Sequence, residues 1–173
     1  MKKILFIPRR SRIRPYKIAK ALKYIGEIEL ILLCEEHFYD KELFEGVFDR
    51  VIYFNKKNFY STNKVYTYIT KKYTLTRGLN RMINIVNDLS PDLIHTFAEP
   101  YDHIVKLLKE TDYPVVMSDG ADFSGISSSI DSLGNKTREQ EKYAFENVHG
   151  ICHKGPEYEI EFYRQHGYEI NCP

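Results

Sequence analysis

The stretch from Pro91 to Phe123 does most to limit the folds open to this chain. It reads Pro-Asp-Leu-Ile-His-Thr-Phe, then a helical run from Glu99 to Glu110, then Tyr-Pro-Val-Val-Met-Ser-Asp-Gly-Ala-Asp-Phe. Two short apolar runs, Leu93–Phe97 and Pro114–Met117, flank an amphipathic helix, and each run ends in polar residues. That pattern spells strand, helix, strand, with the strands parallel and joined by a right-handed crossover. In open parallel sheets, ligands bind at the carboxyl ends of the strands. His95, Thr96 and Glu99 following the first strand, and Ser118, Asp119 and Asp122 following the second, are the first candidates for chemistry.

The rest of the chain repeats the alternation. Lys3–Ile7 is a short apolar strand. Pro15 suits the first turn of a helix, in which Ile18, Ala19, Leu22 and Ile25 recur at helical spacing until Gly26 stops it. Ile28–Cys34 is a second strand, with a polar exit of Glu35, Glu36, His37 and Asp40 and a brief helix from Lys41 to Glu45. Arg50–Phe54 is β-branched and aromatic, a third strand. Thr76–Leu89 is helical, with Leu79, Met82, Ile83 and Val86 on one face, and Ser90-Pro91 ends it. Beyond the central unit come a Ser/Gly loop, Ser124–Gly134, a helix over Thr137–Val148, a strand at Gly150–His153, and a helix from Pro156 to His166 capped by Gly167. Strands alternating with helices six times predict an α/β fold: a doubly wound, mostly parallel Rossmann-like sheet in the order 3-2-1-4-5-6.

Composition narrows the function classes. At 173 residues, 43% hydrophobic and 28% charged, the chain fits one soluble globular domain. A net charge of +1 gives no global case for nucleic acid. The longest apolar run, Ile28–Cys34, is too short to span a bilayer, and the four apolar residues before Pro8 are too few for a signal peptide. Cys34, Cys152 and Cys172 are unpatterned, as reduced thiols are, so a cytoplasmic chain is expected. No cofactor is expected. No metal is expected either: His149 and His153 are four apart, but across a strand rather than on one helix face.

Local charge is more telling. Arg9, Arg10, Arg12 and Arg14 fall within six residues before Pro15. Arginine forks suit phosphate, and the plain alternative is a solvated loop over strand ends. His95 reads either as a contact to sugar or pyrophosphate or as a hydrogen-bonded structural residue. Asp119 and Asp122 could orient hydroxyls or act as a base, or cap the Ser/Gly loop. Asn55–Asn87 carries seven basic residues, no acid and five aromatics. It is either a solvated insert with tyrosines packed on the core, or a contact with the anionic inner face of a membrane through Lys56, Lys57, Lys64, Lys71 and Lys72. Stacking on single-stranded nucleic acid is a third reading, but no RRM or KH pattern is visible, so no nucleic-acid partner is expected.

The segment Pro91-Asp-Leu-Ile-His-Thr, a helix, then Tyr113-Pro-Val-Val-Met-Ser-Asp resembles the N-terminal domain of GT-B fold glycosyltransferases, in particular the retaining enzymes of group 1, or family 4. Glu139-Gln-Glu-Lys-Tyr-Ala-Phe-Glu-Asn-Val-His-Gly-Ile-Cys-His-Lys is similar to their next helix and strand. Ile7-Pro-Arg-Arg-Ser-Arg-Ile-Arg-Pro-Tyr is similar to their first loop and helix. The resemblance implies an acceptor-binding domain of an enzyme that moves a sugar from a nucleotide-sugar donor to a glycan or lipid-linked acceptor. Asp119, Asp122 and His95 would be catalytic, with Arg9, Arg10, Arg12, Glu99, Ser118, His153 and Lys154 binding substrate. The expected partner is a C-terminal nucleotide-sugar-binding domain, which would begin where this chain ends, so the domain alone would be inactive. The chain departs from that pattern in two places. Arginines stand where a glycine-rich first turn is common, and Ser118-Asp119-Gly120-Ala121-Asp122 stands where a histidine often follows the fifth strand. The rival readings are a stand-alone Rossmann-like module for a phosphorylated ligand or protein partner, and a GT-B nucleotide-sugar epimerase.

Overall fold

The computed structural model describes residues 1–9, 12–55, 64–97, 101–118, 135–152, 161, 163–165 and 167–170. Strands β1 (Lys2–Ile7), β2 (Ile28–Glu35), β3 (Arg50–Asn55), β4 (Leu93–Phe97), β5 (Val115–Ser118) and β6 (Gly150–Cys152) alternate with helices. The helices are α1 (Ile13–Leu22), α2 (Lys41–Phe44), α3 (Lys64–Leu89), α4 (Asp102–Glu110) and α5 (Asn135–Asn147). The strands make one six-stranded, all-parallel sheet in the order β3-β2-β1-β4-β5-β6, the order expected from the alternation. The chain divides into two compact units, Met1–Asp92 and Leu93–Pro173.

In the first unit, β1 pairs with β2 from Lys2↔Ile28 to Phe6↔Leu32. Leu5, Phe6 and Ile7 and the run Leu30–Cys34 are fully buried without alternation, as strands covered on both faces must be. Burying each of these large aliphatic side chains stabilises the fold by about 1.5–3 kcal/mol. β2 pairs with β3 from Ile31↔Arg50 to Cys34↔Tyr53, and a bulge then brings Glu35 opposite Asn55. α1 begins two residues before Pro15, which sits in the first turn where its missing N–H costs nothing. It also stops earlier than the spacing predicted. After Leu22 the chain tightens into bonds from Tyr24 N to Ala21 O (3.1 Å) and Ile25 N to Leu22 O (3.0 Å), which turns Ile25 out to solvent.

α3 is longer than expected, running upstream from Thr76 to Lys64 for 26 residues in all. Threonine and tyrosine are weak helix formers, but a helix propagates readily from a nucleated end. That end is Leu79, Met82, Ile83, Val86 and Leu89, all buried. After it the chain returns to its own start. Asp92 Oδ2 accepts from Lys3 N–H (2.8 Å), Asp92 N–H donates to Lys3 O (3.0 Å), and Lys3 Nζ donates to Leu89 O (3.0 Å).

In the second unit, β4 pairs with β5 from Ile94↔Val115 to Phe97↔Ser118, and β5 with β6 from Val116↔Gly150 to Ser118↔Cys152. α4 starts at Asp102 rather than Glu99, with His103, Ile104 and Leu107 inward. α5 turns Ala144 and Phe145 to the core and Val148, just past its end, joins them; Phe145 meets the rings of Tyr101, Tyr163 and Tyr168. Gly167 ends a helical turn as expected. At φ +80 it donates to Arg164 O (3.0 Å), and Tyr168 N–H reaches back to Tyr163 O (3.1 Å). The two tyrosine rings pack at 5.3 Å, the apolar contact that accompanies this cap. The Ser/Gly loop lies outside the described residues, and of the helix expected after Pro156, Glu161 and Tyr163–Gln165 are described and are helical.

Candidate functional site

The first unit gathers polar groups at the carboxyl ends of its strands. The bulge between Cys34 and Glu35 points Glu35 and Asn55 at each other, and Asn55 Nδ2 donates to Glu35 Oε1 at 3.4 Å. The same oxygen pairs with Arg9 at 3.5 Å, and Oε2 pairs with His37 Nε2 at 3.5 Å. The Arg9 and Glu35 side chains are both close to nine-tenths buried, so the Arg9 guanidinium is engaged by a carboxylate of its own chain. Arg12 lies nearer to solvent. It pairs with Asp40 (3.7 Å), donates to His37 O (3.1 Å) and lies over the Phe38 ring.

The second unit brings His95 and Ser118 together. His95 Nε2 and Ser118 Oγ share a hydrogen bond of 2.8 Å, and the imidazole stacks flat on Phe97, centroids 4.9 Å apart and rings 2° from parallel. Both sit within strands: His95 and Thr96 are inside β4 rather than after it, and Ser118 closes β5. His95 is 5% exposed and Ser118 3%. Burial pushes the imidazole down to about 4, so it is neutral near pH 7. A neutral ring gives or accepts a hydrogen bond but brings no charge to a phosphate. Thr96 Oγ1 ties β4 to β5 through Val116 O at 3.2 Å.

One buried cluster was not anticipated. Glu141 accepts from Tyr101 OH (3.1 Å) and Tyr168 OH (2.8 Å) and is buried. The available signal was spacing: Glu141, Ala144, Phe145 and Val148 fall at i, i+3, i+4 and i+7, which places the carboxylate on the inward face. Of the other expected site residues, Arg10, Glu99, Asp119, Asp122, His153 and Lys154 lie outside the described residues, as do Lys56 and Lys57. Lys64, Lys71 and Lys72 fall within α3, with side chains outside the description. Among the described residues no helix is long and apolar enough to cross a membrane.

The order of the six parallel strands is the feature by which this chain meets known structures. MurG from Acinetobacter baumannii superposes with a TM-score of 0.60 at 11% identity, over 90% of this chain and 42% of that one. The Arabidopsis thaliana glycosyltransferase UGT89C1, complexed with UDP, gives 0.55 at 11% identity over 89% of this chain and 42% of that one. The fold is GT-B-like. The chain spans less than half the length of these two GT-B glycosyltransferases. The C-terminal domain of a Pyrococcus furiosus hydrogenase also superposes, at a TM-score of 0.52 and 20% identity, over 67% of this chain and 89% of that one. No protein-family model matches the sequence, and no curated protein matches it.

Proposed function

We propose that this chain is the acceptor-binding N-terminal half of a GT-B glycosyltransferase, which moves a sugar from a nucleotide-sugar donor to a glycan or lipid-linked acceptor. What carries the reading is coverage: nine-tenths of this chain superposes on only 42% of two GT-B glycosyltransferases, one of them holding UDP. A second domain or subunit then supplies the donor site, and this unit alone is inactive. In such an enzyme, catalysis is mainly positioning and stabilisation of the leaving diphosphate. His95 would act through a neutral hydrogen bond fixed by Ser118. Glu35 would hold Arg9 while Arg12, with Arg10, faces the ligand; Asp119, Asp122, Glu99, His153 and Lys154 complete the proposed set.

The test is transfer from a panel of radiolabelled nucleotide sugars, by the native full-length polypeptide and by residues 1–173 alone. Product from the full-length protein and none from residues 1–173 is expected, with His95→Ala and Arg12→Ala each lowering the full-length rate. A native polypeptide that ends at residue 173 and transfers no sugar would overturn the reading. The second reading, a binding module with no transfer activity, is favoured by the hydrogenase domain, 89% of which matches this fold.

A further inference from the structure

Residues 1–26 hold nine lysines and arginines and no acid; the first is Glu27. α1 lies in this stretch, and its outward face is unusual in a second way. Ile13, Lys17, Lys20 and Tyr24 recur at i, i+4, i+7 and i+11, one stripe along the helix and its final turn. All four are exposed, Ile13 at 54% and Tyr24 at 82%, and the turn after Leu22 adds Ile25 at 72%. These are three of the five large apolar or aromatic side chains exposed among the described residues.

We propose that this outward face of α1 docks on an anionic lipid bilayer. Ile13, Tyr24 and Ile25 enter the headgroup region, and Lys17 and Lys20 meet the lipid phosphates. An amphipathic helix with lysines beside apolar side chains lies in the interfacial plane in this way. Lysine stems lie along apolar surface while their ammonium groups reach the headgroups, and tyrosine favours that depth. Lys20 Nζ donates to Tyr16 OH at 3.2 Å, on the groove side of the stripe. One flank of the stripe is acidic: Lys23 pairs with Asp49, and Glu42 and Glu45 line a groove of about 430 Å³ together with Tyr16, Lys20, Lys23 and Tyr24. An anionic surface is therefore met from the side of Ile13, Lys17 and Ile25, which do not line the groove, with Lys20 and Tyr24 at its rim. A second copy docked face to face would set lysines against lysines, which costs free energy. Nucleic acid would suit the lysines and Tyr24 but would leave Ile13 and Ile25 against phosphate and sugar. The inference stands apart from the sugar-transfer reading.

The experiment is co-sedimentation of residues 1–173, at low salt, with vesicles of equimolar phosphatidylglycerol and phosphatidylcholine, and with phosphatidylcholine alone. Pelleting with the anionic vesicles is expected. Lys17→Gln/Lys20→Gln should weaken it about thirty-fold, and Tyr24→Ser/Ile25→Ser should weaken it measurably, both with unchanged circular dichroism and melting. Lys71→Gln/Lys72→Gln in α3 serves as the control and should pellet as the parent does. No pelleting of the parent would overturn the proposal. So would α1 variants that bind like the parent, a loss confined to the α3 variant, or capture of single-stranded RNA in place of vesicles.

Discussion

Replacing His95 with glutamine should flatten part of the pH dependence of folding. Glutamine can still meet Ser118 Oγ, but it does not titrate. The ordinary imidazole value is 6.5, and burial lowers it to about 4 in the folded chain. Between those values the unfolded chain binds a proton that the folded chain refuses, so stability falls as pH falls. The contribution is complete above about 6.5 and is lost as pH drops toward 4. Near pH 5 the unfolded ring is almost fully protonated and the folded ring roughly one-tenth so, which makes the loss between pH 7 and pH 5 about 2 kcal/mol. The Asp49 and Asp92 carboxyls are both held below their ordinary value of 3.8, so they titrate beneath this window. Urea unfolding of parent and His95→Gln at the two pH values measures the difference. The parent should lose about 2 kcal/mol more than the variant. Equal losses within about 0.5 kcal/mol would show that water reaches the ring and that the buried His95–Ser118 pair has been misread.

Other outcomes follow from the same reasoning. Tyr168→Phe removes a hydrogen bond to a buried carboxylate and should cost about 1.5–3 kcal/mol. A double-mutant cycle with Glu141→Leu should return a coupling above about 0.5 kcal/mol, and a null coupling would place Tyr168 away from Glu141. Gly167→Ala forces a β-carbon into φ +80 and should cost about 1 kcal/mol by chemical denaturation. Burial raises the Cys34 thiol to about 12. Iodoacetamide mapped by peptide mass spectrometry should therefore label exposed Cys152 in the native chain, and Cys34 only after unfolding.

The sequence showed most clearly what depends on local chemistry. Lys3–Ile7 announced a central strand because a strand covered on both faces carries no polar alternation. Gly167 announced its cap because few other residues adopt a positive φ. What stayed hidden depends on register between distant segments. Arg9 and Glu35 are 26 positions apart, and only the pairing of β1 with β2 and the bulge after Cys34 bring them together. Glu141 stands among Glu139, Lys142 and Glu146, so charge suggested a solvated face where helical spacing indicated a buried one. Ile25 misled in the opposite sense: its spacing fits the apolar face of α1, but the helix ends before reaching it. His95 and Ser118 were both named from their places near strand ends, yet their hydrogen bond required the β4–β5 register.

The bonds that fasten Lys3 to Leu89 and Asp92 also bear on the order of events during synthesis. They close a loop of nearly the whole first unit, and drawing together ends so far apart costs on the order of 4 kcal/mol in chain entropy before any contact repays it. β1 emerges before the rest of its unit, but its anchoring residues are among the last of the unit to be made. The nascent first unit must therefore wait, with β1 incompletely secured, until α3 and Asp92 have emerged. A stall or truncation before residue 92 would leave an apolar strand exposed to misassociation, and a tag fused at Met1 would sit beside the unit's final closing contact.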